Sequence, residues 1–159
     1  MKSDYVSMLQ KSCAFAPCYL KGSGKSTKVY MKDGGYEYIT HSVNKLLNDY
    51  FAINMRSLKN TKKLCGKILG KKSLTPLYIK EEIMFIPIKT TKPYTKGDNC
   101  VGYINARYID EINFSGSIIK LESGGTIQYL DRGETLRKRL GDNEIIKKRF
   151  VNKLLTEFI

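Results

Sequence analysis

A chain of 159 residues, 42% of them hydrophobic, is the size of one ordinary domain and long enough to enclose a core. It holds no run of about 18 uncharged apolar residues of the kind that crosses a bilayer. Twenty-eight Lys and Arg stand against 15 Asp and Glu, a formal charge of +13, well past what solubility requires.

Such an excess implies a polyanionic partner, nucleic acid ahead of an anionic membrane surface. The start MKSDYVSMLQ has neither the apolar block nor the cleavage site of a secretory leader, and no lipidation signal accompanies the charge. A cytoplasmic, nucleoid-associated protein without membrane attachment is expected.

In chain order, CAFAPCYL is apolar and contains Pro17, which suits a strand end or a sheet edge because proline cannot donate to a ladder. The next stretch, YLKGSGKSTKVY, contains GSGKST, close to the phosphate-cradling half of a P-loop. The full pattern needs a glycine five positions before Gly24, where Tyr19 stands, and it needs the Lys-Ser pair to open a helix. Here STKVYM and YEYIT flank the turn Lys32 to Gly35, so Thr27 to Thr40 reads as a β-hairpin and GSGKST as a basic turn. Lys21, Lys25 and Lys28 in that turn are suited to backbone phosphate more than to ATP.

HSVNKLLNDYF spaces Val43, Leu46, Leu47 and Tyr50 for a short helix, with Ser42 as N-cap. The lysine-dense stretch from Lys59 to Ser73 reads as an exposed loop. TPLYIKEEIMFIPI gives two strands about the turn KEE, TTKPYTKGDN a polar basic loop, and SIIKLESGGTIQYL a hairpin about ESGG. The period then changes to helical. A short helix from Glu134 to Leu140 precedes a longer one capped by Asp142 or Asn143, in which Ile146, Phe150, Leu154 and Phe158 recur in steps of four, widened by Ile145, Val151 and Leu155. Lys147, Lys148, Arg149 and Lys153 fall on the opposite face. The fold class expected is a single α+β domain over residues 1–159, rich in antiparallel strands, with helices toward the C-terminus.

Cys13, Cys18, Cys65 and Cys100 form no CxxC pair, and His41 is the only histidine. No metal or other cofactor is expected, and the thiols read as small buried hydrophobes, with a redox role for Cys100 as the alternative. With one histidine and no nucleophile beside a base, no enzyme is expected.

From Met84 to Ile112 the chain resembles the competence transcription factor family, ComK. Ile86 and Pro87 correspond to its phenylalanine-proline strand end, Thr90 to Lys96 to its Ser/Thr and basic loop, Cys100 to its cysteine, and Tyr103-Ile104 to its aromatic-isoleucine pair. IIKLESGGTIQYLDRGETLRKRL is similar to the family's glycine-centred hairpin and following helix, and FAPCYLKGSGKSTKVYMKDGGYEYI to its early turn and hairpin. Tyr103 stands where the family has tryptophan, and NDYFAINMRSLKNTKK where it has a glycine-rich loop led by cysteine. The resemblance implies an activator of competence genes that binds AT-rich double-stranded DNA from the minor groove as a homo-oligomer. In family members with an extended tail it also implies a proteolytic adaptor. A narrow A·T minor groove is strongly negative and admits Arg and Lys from loops without a recognition helix.

Three basic clusters are the candidate DNA contacts: Lys62, Lys63, Lys67, Lys71 and Lys72; Lys89, Lys92 and Lys96 with Arg107; and Arg137, Lys138 and Arg139. Tyr94 and Tyr103 would stack on bases in a single-stranded target, and otherwise belong to the core. A basic RNA-binding module is the rival to the DNA activator, and a nucleotide-binding enzyme using GSGKST the next.

Overall fold

Strands with apolar residues on both faces need cover on both sides, and CAFA, IMFIPI and GYIN have that composition. In the computed structural model, which describes residues 2–91 and 100–158 with side chains through Phe150, these segments lie in adjacent strands of one sheet. Helix α1 (Ser3–Gln10) precedes strands β1 (Ser12–Leu20), β2 (Gly24–Met31) and β3 (Tyr36–Ile39), then helices α2 (Val43–Ile53) and α3 (Leu58–Leu69). Strands β4 (Leu77–Lys80), β5 (Ile83–Lys89) and β6 (Val101–Asn105) follow, then a 3₁₀ turn at Ala106–Tyr108, strands β7 (Ile109–Asn113), β8 (Ile118–Leu121) and β9 (Thr126–Gln128), and helix α4 (Gly133–Phe158). The large sheet has the order β3-β2-β1-β6-β5-β4, the small one β7-β8-β9, and every pairing is antiparallel.

Period-two alternation divides the apolar residues between two cores. Phe15, Val29, Phe85 and Tyr103 face α1 and α2, where Leu46, Leu47, Tyr50 and Phe51 are buried. Ala14, Ala16, Ile86, Ile88 and Ile104 face the small sheet and Leu136 of α4. A third core lies where α3 meets α4, with Cys65, Tyr78, Met84 and Ile146 buried and Phe150 stacked on Tyr78 at 4.5 Å between centroids.

The two halves of the large sheet meet at β1 and β6, which pair only at Ala14↔Ile104 and Phe15↔Tyr103. A Cβ on Gly102 would lie 2.5 Å from the Phe15 carbonyl oxygen and 3.2 Å from the Ala16 Cα, so the strands cross at a separation only glycine permits. Beneath the crossing, Phe15, Phe85 and Tyr50 bring one ring each from β1, β5 and α2, with centroids 5.2 to 6.2 Å apart.

The α+β class and the hairpins agree with the sequence reading. Lys28 pairs Tyr38 and Tyr30 pairs Tyr36 across β2 and β3, closed by the positive-φ glycines Gly34 and Gly35. Ser42 caps α2, its hydroxyl accepting the Lys45 N–H at 3.2 Å. GSGKST forms the end of a strand-to-strand turn: Ser26 and Thr27 are buried in β2, and the Thr27 hydroxyl donates to the His41 carbonyl at 2.7 Å. No helix follows the Lys-Ser pair, so the P-loop arrangement is absent.

Three elements differ. The stretch from Lys59 to Ser73, expected as an exposed loop, is mostly helix α3. Ser57 accepts the Asn60 N–H, Leu58 and Cys65 are buried with Ile68 and Leu69 packed beside Cys65, and Gly70 at φ 67° ends the helix. Lysine is a good helix former, so a few apolar residues at helical spacing suffice. The break expected around Asp142 does not occur, because α4 runs unbroken through Gly141, and Asp142 and Asn143 are buried helix residues instead of caps. Ile145, expected to widen the apolar face, is 51% exposed. Helix α1 was not expected; the Tyr5 hydroxyl fastens it to α2 by donating to Asp49 at 2.6 Å.

Among the described residues no helix is long and apolar enough to cross a membrane. Thermal unfolding checks the two glycines. Gly141→Ala, exposed in a helix interior with nothing within 4 Å of the added Cβ, stabilises by about 0.5–1 kcal/mol, whereas Gly102→Ala destabilises by about 1–3 kcal/mol through overpacking. Burial alone would raise the Asp49 carboxyl, but hydrogen bonds from Tyr5 and Lys45 outweigh it and hold the pKa below its ordinary value. That stabilisation is present above the unfolded carboxylate pKa of about 3.9 and is lost as pH falls through the lower native value. Tyr5→Phe removes part of the depression, so in an acid titration followed by circular dichroism the variant unfolds at higher pH than the parent.

Candidate nucleic-acid interface

Helix α3 contains no acidic residue, and its residues turn 100° apiece, which puts Lys59, Lys63 and Lys67 in one stripe, each a turn above the last. All three are exposed, and none forms an ion pair with a described residue. The stripe lies opposite the buried Leu58 and Cys65, so α3 is apolar where it packs and cationic where it faces solvent. Lys62 is exposed on the flank toward α2, and Lys72 is exposed in the loop after the helix. Lys71 is different. Its ammonium pairs with Asp142, itself buried on α4, and its N–H donates to the Gly66 carbonyl at 2.9 Å.

The second cluster does not assemble. Lys89 pairs with Val101 at one end of the β5–β6 ladder, whereas Arg107 lies past Asn105, which pairs with Phe85 at the other end. Four residues of strand separate the two sites, roughly 13 Å. Arg107 instead shares a recess of about 160 Å³ with Lys147 and the acids Glu81, Glu82 and Glu144. Lys92 and Lys96, with Tyr94, lie outside the described residues.

The third cluster splits by burial. Lys138 is exposed, and Arg137 lies over the Phe114 ring at 4.0 Å. Arg139 is only 8% exposed. Its guanidinium bonds Asp131 at 2.9 Å and donates to the Pro87 carbonyl at 3.0 Å. Asp131 also accepts the Lys89 N–H at 2.8 Å, so this group fastens the start of α4 to β5 where β4 has ended. With its donors committed inside the fold, Arg139 does not belong to a solvent-facing surface.

A second surface escaped the sequence reading. Residues 36 and 38 of β3 point to the same side of the sheet, which leaves Tyr36 and Tyr38 55% and 50% exposed with rings 5.5 Å apart. Lys28 of the neighbouring strand lies 4.1 Å from the Tyr36 centroid and 5.0 Å from Tyr30. The signal was present in YEYI, where alternation on a hairpin sends both tyrosines to one face. Lys59 was missed for a different reason, since four-residue spacing carries no meaning in a segment read as a loop. Tyr103 is core, as its alternative reading had it.

Burial pushes the Cys13 thiol up to about 11, against a smaller opposing pull from Lys32, and also raises Cys18 and Cys65. These three thiols are therefore protonated near neutral pH and weak nucleophiles. Among the described residues no group of three or more His, Cys, Asp or Glu is placed to hold a metal ion.

No known protein family, no curated protein and no solved structure matches the chain.

Urea unfolding separates the fastening residues from the surface ones. Arg139→Ala leaves Asp131 buried without its partner and costs about 3–5 kcal/mol, whereas Lys63→Ala on the exposed stripe changes stability by no more than about 0.5 kcal/mol.

Proposed function

We propose that the protein binds double-stranded DNA, engaging its phosphates through the lysine face of α3, and acts as a transcriptional regulator of the ComK type on AT-rich sites as a homo-oligomer. The observation that carries the reading is the stripe Lys59, Lys63 and Lys67, exposed and without an ion pair to any described residue, on a helix without acids, in a chain of formal charge +13. Lysine ammoniums act on phosphate as point charges, and such contacts position a protein on a duplex without reading its sequence. Lys62 and Lys72 extend the cationic surface, and Lys138 is exposed on α4. The ordered resemblance of the first strands, the β5–β6 region and the β8–β9 hairpin to the ComK family supports the choice of duplex DNA and of the minor groove.

One observation favours a second reading. Tyr36 and Tyr38 present exposed rings beside Lys28, and aromatic rings with adjacent cations are what unpaired bases stack on. On that reading the target is single-stranded, RNA included.

Fluorescence anisotropy against salt tests the phosphate contacts. With six to ten phosphates engaged, affinity for duplex DNA falls about 10³- to 10⁵-fold between 50 and 200 mM salt. Replacing Lys59, Lys63 and Lys67 together by Gln lowers the slope of log affinity against log salt by about 2 to 3. A flat salt dependence removes the reading. Selection from random duplexes with RNA competitor then separates the two targets. Recovery of paired AT-rich boxes supports the regulator, and tighter RNA binding that Tyr36→Ala and Tyr38→Ala weaken supports the stacking surface.

A further inference from the structure

A recess of about 290 Å³ opens between α2, the loop that follows α3 and the ends of β4 and β6. Its floor is made by Val43, Leu47, Leu77 and Tyr103, none more than 8% exposed and all part of the main core. The floor is thus packed from behind and keeps its shape with the recess open. Two lysines stand at the mouth, brought there by different elements: Lys62 from α3 and Lys72 from the loop after it. Both are exposed and neither is in an ion pair with a described residue.

The wall adds an independent observation. Leu74 lines the recess, is 38% exposed and holds a backbone φ of 56°, in the left-handed region that side chains other than glycine and asparagine seldom adopt. The positive φ costs backbone strain, and it sets the Leu74 side chain on the recess wall, where an apolar body can lie against it. Next to it, Ser73 and Thr75 supply hydroxyls, and Asn44 on the α2 side supplies an amide.

We infer that this recess is a binding site for a small organic anion: an apolar body of about one ring system or a short chain, seated on the Leu47 and Leu77 floor against Leu74, with one anionic head between Lys62 and Lys72. The volume is at the small end of ligand pockets, which run from about 300 Å³ upward, so the body is small. An inorganic ion would leave the apolar floor wet, and an uncharged body would leave both ammoniums unanswered. A nucleic-acid strand does not enter a recess of this size, so binding on its apolar floor does not depend on the reading proposed for the lysine stripe, although Lys62 and Lys72 also belong to the cationic surface around it.

Amide chemical-shift titration of the full chain at low salt tests the site with four probes. Indole-3-acetate and octanoate combine an anionic head with a ring or a chain; tryptophol has the ring without charge, and acetate the charge without a body. The expected result is saturable binding of at least one of the first two, with shifts centred on Leu47, Leu74, Thr75 and Leu77, and about tenfold or weaker binding of tryptophol and acetate. The double variant Lys62→Met, Lys72→Met alters only exposed side chains and lowers affinity for the anionic probe about tenfold, to the level of tryptophol, whose own affinity does not change. Whichever of the two anionic probes binds tells ring from chain. Absence of saturable binding by both overturns the proposal. So does acetate binding as tightly as the larger anions, or an unchanged anion affinity in the double variant.

Discussion

The fold depends on the crossing of β1 and β6. Every strand of the large sheet belongs to one of two antiparallel groups, β3-β2-β1 and β6-β5-β4, and two residue pairs join them. Backbone hydrogen bonds over so short a ladder are a modest tie, so packing must hold the halves together. The side chains at the crossing are graded for this. Glycine lets the backbones approach, alanines at 14 and 16 keep one face shallow for the small sheet, and the Phe15, Phe85 and Tyr50 rings fill the deep face under α2. Pro17 cannot donate to a ladder, and pairing with β6 ends at Phe15. The crossing is therefore short on one side by chemistry and close-packed on the other by composition.

The positive charge of the chain serves two ends. Lys71 and Arg139 reach inward to Asp142 and Asp131, and each joins α4 to another part of the fold: the segment just past α3 in the first case and β5 in the second. Removing the cation of either pair leaves a largely buried carboxylate without its partner, which makes these residues fasteners whatever their net contribution. The lysines of α3 face outward instead, where they repel one another and add nothing to stability on their own account. This division of the basic residues into inward fasteners and an outward cationic face cannot be made from a count.

Local chemistry made much of the architecture readable. The hairpins followed from glycine turns between alternating strands, α2 from its Ser42 cap and apolar spacing, and the rejection of a P-loop from β-branched residues after GSGKST. The errors share one cause, which is that tertiary contacts overrode local signals. The stretch from Lys59 to Ser73 looked like a loop because its six lysines outweigh its few apolar residues to the eye, yet Cys65, Ile68 and Leu69 pack with Tyr78 and with Ile146 of α4. Gly141-Asp142-Asn143 looked like a helix boundary, but the ion pair to Lys71 and the burial of Ile146 carry α4 across it. For the site the limit was sharper. Clustering in sequence grouped Lys89 with Arg107, which antiparallel register places at opposite ends of a strand, and it included Arg139, whose partners come from 8 and 52 residues away.

Helix α4 is seated on two cores that share no other helix: Leu136 rests on the small sheet and Ile146 on α3. At 26 residues it is about 39 Å long, enough to span the domain. A rigid rod held at two points does not release one without disturbing the other. The cores on which it rests accordingly form one cooperative unit, and the cationic helix α3, with only a small apolar face of its own, takes its stability from the far side of the molecule.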